Sequence, residues 1–97
     1  MDEPVDIALE DGASKGRYVA RIEGAPDAEM TFSRGNPHLV IIDHTEVPDE
    51  MRGKGVGKAL VERIVADARE KNFKIIPLCP FARATFERHP DWRDVLA

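Results

Sequence analysis

The stretch that most constrains this chain is Leu39-Val40-Ile41-Ile42. Four consecutive apolar residues, most of them β-branched, suit a pleated strand packed on its neighbours. Continuous rather than alternating apolarity predicts a central strand over 38–47, buried on both faces. Pro48 ends it, because proline cannot donate to a ladder. A glycine-rich connection follows over 49–55. The hydrophobic period then changes. Val56, Leu60, Val61, Ile64, Val65 and Ala68 form one helical stripe, while Lys58, Glu62, Arg63, Asp67, Glu70 and Lys71 lie mostly off it. This predicts a helix over 56–72, stopped by Asn72. A strand followed by a helix calls for a second strand parallel to the first, and KIIPL at 74–78 supplies it. Pro77 marks an irregularity or an edge near its end. Pro80 starts a second, shorter helix to about Arg88, expected to carry Phe81, Ala84 and Phe86 inward, and Pro90 stops it.

The first half of the chain reads differently. Residues 17–23 alternate, with Tyr18, Ala20 and Ile22 on one side, and 28–33 offers a further strand with Met30 and Phe32 pointing together. The turns Gly24-Ala25-Pro26-Asp27 and Gly35-Asn36-Pro37 join these pieces into an antiparallel meander. A short strand is possible at 5–9. Residues 1–16 are expected to form a flexible or edge-strand N-terminus, and 17–97 a single domain. The expected class is α+β, in an α/β three-layer arrangement. Its sheet would be mixed and mostly antiparallel, with two helices in the order β-β-β-β-α-β-α.

At 97 residues the chain is too short for a full doubly wound enzyme. No apolar run reaches the roughly 18 residues of a membrane helix, and the acidic start MDEPVDIALEDG lacks the regions of a signal peptide. A single cysteine, Cys79, excludes an internal disulfide and a cysteine-cluster zinc site. These features together predict a cytoplasmic protein. The net charge of −4 conceals a division: residues 1–50 sum to −8 and residues 51–97 to +4. Either the second half meets an anion while the first favours a cation, or an acidic start and an amphipathic helix simply average this way.

The chemistry-bearing segment is Arg52-Gly53-Lys54-Gly55-Val56-Gly57-Lys58, between the buried strand and the helix. Free amides and the dipole at a helix N-terminus attract anions. Glycines permit positive φ and close approach, and three cations add charge of the right sign. A diphosphate-bearing ligand is indicated. The loop fails as a Walker motif, because Arg52 and Ala59 occupy the positions of a glycine and a Ser/Thr. It fails as a dinucleotide fingerprint, because Lys58 stands where glycine is needed and no acidic residue ends the strand at 74–78. A glycine-rich turn without a ligand is the other reading.

Arg52, Gly55 and Gly57, opening a helix after a buried strand, resemble the acetyl-CoA motif of the GNAT superfamily of N-acetyltransferases. The longer string resembles a subfamily of very small GNAT-like proteins of about this chain's length. That string is Asp43-His44-Thr45-Glu46-Val47-Pro48, the glycine loop, Pro77-Leu78-Cys79-Pro80-Phe81 and Glu87-Arg88-His89-Pro90, and the match runs over 17–95. The resemblance implies a minimal GNAT fold with acetyl-CoA as cosubstrate. The pantetheine arm would pair with backbone near Glu46 and Val47. The diphosphate would sit on Arg52, Gly53, Lys54, Gly55, Val56, Gly57 and Lys58. The thioester would lie where the sheet splays, beside 74–79. Acetyl transfer to an amine needs a base, an oxyanion donor and an acid for the thiolate. A strand glutamate serves as base in some members, but that stretch here is apolar. Many members place an acidic tyrosine on the last helix, where this chain has Thr85, and its one tyrosine, Tyr18, is distant.

Cys79 and His44 are the remaining catalytic candidates, meeting across the sheet if their strands are adjacent. The cysteine would be nucleophile and the histidine base. Each also has a structural reading, as a small buried residue and as a strand-end residue. His38, His89 (a helix-end cap), Trp92, Asp49 and Glu50 read as structural or solvated. No spacing suggests a metal. The leading function is an acetyl-CoA-dependent N-acetyltransferase acting on a small-molecule or protein amine. The alternative is a CoA- or acyl-CoA-binding module with little or no catalysis. Nucleic-acid binding is disfavoured by the net charge and the lack of interleaved aromatics, and no membrane partner is expected.

Overall fold

The computed structural model describes residues 6–51, 53 and 55–97. Four strands come first: β1 (Asp6–Asp11), β2 (Lys15–Arg21), β3 (Ala28–Asn36) and β4 (Leu39–Glu46). A short 3-10 turn at Asp49–Met51 leads to α1 (Val56–Lys71), then β5 (Lys74–Pro77), α2 (Pro80–Glu87) and a closing 3-10 segment, Pro90–Val95. The five strands lie in sequence order, β1-β2-β3-β4-β5. The first four pair antiparallel, and β5 joins β4 in parallel through the α1 crossover. The expected α+β class, mixed sheet and element order are all present. Asn72 ends α1 in the left-handed conformation, φ 59°, as a C-terminal stop should. Among the described residues no helix is long and apolar enough to cross a membrane.

Both helices pack on one face of the sheet, making two layers rather than three. One core joins Tyr18, Met30, Phe32, Val40 and Ile42 of the sheet to Leu60, Ile64 and Val65 of α1 and to Ala82 and Phe86 of α2. The opposite face is charged. There Arg17 donates to Glu10 at 2.7 Å and to Glu29 at 2.6 Å; the Arg34–Asp11 pair, at 2.6 Å, lies instead at the rim of the helix-facing side, where Arg34 covers the Phe32 ring. Exposed pairs of this kind contribute little each, but those of Arg17 suit a sheet face turned to water. Without a layer over that face, Leu39 and Ile41 stay partly exposed, while Val40 and Ile42 are buried. The strand expected to be buried on both sides is fully buried on one.

A polar network fastens α1 to the sheet. The Tyr18 hydroxyl on β2 donates to Asp67 Oδ2 at 2.7 Å inside the core. Arg63, one turn earlier on α1, reaches both Asp67 oxygens at 3.3 Å and donates to the Ile7 carbonyl of β1 at 3.1 Å. Burial, then the bond to Asp67, raises the Tyr18 phenol above its ordinary range. A buried carboxylate persists only when its oxygens are satisfied; here β2 and α1 supply the donors, and the Ile7 carbonyl of β1 holds Arg63 in place. Tyr18→Phe removes one donor and leaves the carboxylate under-satisfied. Urea unfolding should show a loss of about 1–3 kcal/mol, with an unchanged m-value.

Candidate active-site cleft

The site begins where β4 and β5 part. Their parallel pairing runs from Leu39↔Lys74 to Ile42↔Pro77 and stops. Pro77 has no N–H with which to continue the ladder. One further link follows, from the Cys79 amide to the Ile42 carbonyl at 3.2 Å. Beyond it, residues 44–46 of β4 keep β3 on one side but have no strand on the other among the described residues. A cleft of about 410 Å³ opens beside this free edge. Thr45 and Val47 line one side, Met51 and Val56 contribute apolar surface, and Phe81 of α2 lines it too.

The glycine loop forms another part of the wall through Gly53, Gly55, Gly57 and Lys58. Gly53 and Gly55 take φ of 79° and 74°, each with open space around a would-be Cβ. Glycine is needed there for backbone conformation, not for room. Gly55 is the N-cap of α1 and no side chain caps that end. The first intrahelical bond is made by Ala59, to the Gly55 carbonyl at 2.9 Å, so earlier amides of the turn have no acceptor within the helix. They stand beside the cleft with the positive end of the dipole. Lys58 adds a cation, tethered to Glu62 at 3.8 Å. Gly57 is glycine for space: a Cβ there would lie 2.8 Å from Phe81 Cε1 and closer still to Cζ.

Of the residues expected to bind the cofactor, Val47, Gly53, Gly55, Val56, Gly57 and Lys58 line this cleft. Glu46 contributes strand edge, but its side chain lies in a separate hollow with Asp27 and Glu29. Arg52 and Lys54 lie outside the described residues. Thr45, Met51 and Phe81 were not anticipated. Phe81, expected in the core, is 42% exposed in the cleft, and Ala82 and Thr85 point inward instead. Leu78, read as part of a buried strand, is 55% exposed.

The structure does not bring His44 and Cys79 together. The β3–β4 register shifts between Thr31↔His44 and Phe32↔Ile42, leaving Asp43 as an extra residue. Such a bulge resets the alternation of faces. Thr45, opposite buried Met30, therefore faces the helices. His44 points to the outer, solvated face and is exposed. Cys79 meets Thr45 instead, its thiol donating to Oγ1 at 3.5 Å. The cysteine is the N-cap of α2 and only 4% exposed. Burial raises its pKa, but the Thr45 hydroxyl and the amides of Ala82 and Phe81 outweigh it, so the net shift is downward. The sulfur sits where a helix N-terminus favours thiolate. Tyr18 is committed to Asp67, and Thr85 donates to the Phe81 carbonyl at 2.9 Å, so neither presents a free acid to the cleft. His38 donates from Nδ1 to the Asn72 carbonyl, 3.1 Å away. The His89 ring, rather than capping, stacks on Trp92 with centroids 4.0 Å apart.

A family model described as GCN5-related N-acetyl-transferase matches residues 17–95. The chain is 26% identical over 91 residues to Protein NATD1 of Xenopus tropicalis, covering 93% of this chain and 84% of that one. It is 24% identical to Protein NATD1 of Homo sapiens, covering 93% and 80%. The solution structure of a GCN5-like protein from Staphylococcus aureus superposes with a TM-score of 0.70 at 36% identity, covering 93% and 87%. Ribosomal-protein-alanine N-acetyltransferase from Brucella melitensis shares the fold, with a TM-score of 0.73 at 20% identity and coverage of 90% and 91%.

The Cys79 thiolate can be followed by its ultraviolet absorbance across a pH titration. Its midpoint should lie below that of a free thiol, and Thr45→Val should move it upward by removing a donor to the charged form. An unchanged midpoint in the variant would deny the hydroxyl that role.

Proposed function

The chain belongs to the GCN5-related N-acetyltransferase family, and from that premise we propose that it transfers acetyl from acetyl-CoA to an amine of a small molecule or protein. The observation that carries this reading is the juxtaposition of two binding surfaces in one cleft. The first turn of α1, set by positive-φ glycines, offers amides to a diphosphate. The free edge of β4 beside it offers backbone to an extended, amide-bearing arm. Acetyl-CoA has both parts in this order.

In direct transfer the amine nitrogen attacks the thioester carbonyl. The C–N bond forms, the C–S bond breaks, the amine loses a proton and the CoA thiolate gains one. A backbone amide near Val47 is the oxyanion donor in this proposal. The amine approaches from the outer face, where exposed His44 is the candidate base. Cys79 has two possible tasks here. As thiolate it can accept the acetyl group and pass it to the amine; as thiol it can protonate departing CoA. On the thiolate route the cysteine attacks the thioester carbonyl and CoA leaves as thiolate. The amine then attacks the acetyl-cysteine, gives up a proton and releases the Cys79 thiolate, which burial disfavours but the Thr45 hydroxyl and the amides of Ala82 and Phe81 favour by more.

One observation favours a second reading, a CoA-binding module with little catalysis. The described lining of the cleft holds no carboxylate or imidazole, and Lys58 is its one charged side chain among the described residues.

A thermal-shift panel of acetyl-CoA, CoA, ATP and NAD should show stabilisation by the CoA species alone, because a ligand that binds only the native state raises its stability. Equal stabilisation by ATP would sink the cofactor assignment. Mass spectrometry after a single turnover separates the two routes. Covalent transfer predicts a protein one acetyl group heavier, and no such species with Cys79→Ser. Full amine acetylation by that variant would leave direct transfer.

A further inference from the structure

Two local irregularities meet in the cleft. Gly57 lies inside the first turn of α1 with no positive φ to require it, where glycine weakens a helix relative to alanine. Phe81, in the first turn of α2, leaves much of a large aromatic ring in solvent. Each is unfavourable alone, and they touch: the ring rests on the bare Cα of Gly57, with no space for a Cβ. The contact ties the start of α1 to the start of α2 and stands the ring in the cleft. Its exposed surface shares that cleft with Val47, Met51 and Val56, all apolar. Local rules are most often broken where a function needs the exception.

We infer that Phe81 is the residue by which this cleft selects ligands carrying a pantetheine arm over nucleotides with the same diphosphate, and that position 57 is glycine to seat its ring. The inference rests on the acetyl-CoA reading above. The diphosphate would lie on the loop amides and the arm would leave along Thr45 and Val47. Phe81 lines the cleft together with the Gly57 turn and with Thr45 and Val47, so an arm leaving the loop along β4 passes its ring. Binding would remove the remaining ring surface from water, and a partly exposed phenyl group completing its burial is worth about tenfold in affinity. ADP presents the diphosphate without an arm and gains nothing from the ring.

Calorimetric titration of the intact protein with CoA and with ADP tests this. The wild type should bind CoA more tightly than ADP. Phe81→Ala should weaken CoA about tenfold while leaving ADP within about twofold, and Phe81→Leu should recover most of the loss, since it restores apolar surface. Gly57→Ala, which displaces the ring, should likewise cost CoA more than ADP. Circular dichroism of each variant checks that it is folded. Equal losses for both ligands, or no loss for either, would overturn the role of Phe81 while leaving the cofactor assignment intact. Failure of the wild type to bind CoA would overturn both.

Discussion

The parting of β4 from β5 after Ile42 is the constraint from which the site follows. Pro77 has no N–H to offer, so the parallel ladder ends with it, and the Cys79 amide makes the last link to Ile42. The same event frees the β4 edge, turns the chain into α2 with Cys79 as its cap, and sets Phe81 against α1. A parallel pair that continued to Glu46 would have filled the cleft with strand. One missing donor in a four-residue strand thus gives an otherwise closed sheet its opening.

The bulge at Asp43 is the complementary device. It reverses which side chains of β4 face the helices, so Thr45 rather than His44 looks into the cleft. Regular alternation on from Val40 and Ile42 would have sent His44 inward, toward the cysteine. Instead the imidazole and the thiol stand on opposite faces of the same opening.

Much of this was legible in the residues. The helical stripe of α1, the β-branched run of β4, Asn72 as a stop and the glycine loop each have a local cause that the sequence displays. The loop glycines read as sites for positive φ and close approach; Gly53 and Gly55 take positive φ, while Gly57 is helical and is glycine for space. What escaped reading depends on long-range geometry. A bulge is a relation between two strands, and nothing in Asp43-His44-Thr45 marks it. The exposure of Phe81 and Leu78 follows from where β5 ends, and their apolar character argued for the opposite. The absent third layer was hidden because Leu39 and Ile41 are as apolar as Val40 and Ile42, although their face is only partly covered.

The order of strands has a kinetic meaning. From β1 to β4 every pairing is between neighbours in sequence, so each closes a short loop at small entropic cost. The β4–β5 pairing must instead wait for the whole of α1 to be spanned, and such non-local parallel contacts form slowly. The cleft is built at that late junction, with walls drawn from β4, α1 and α2. The meander can therefore assemble as a platform before there is any site upon it. A ligand that touches both α1 and α2 would add to the non-local contacts that close this junction.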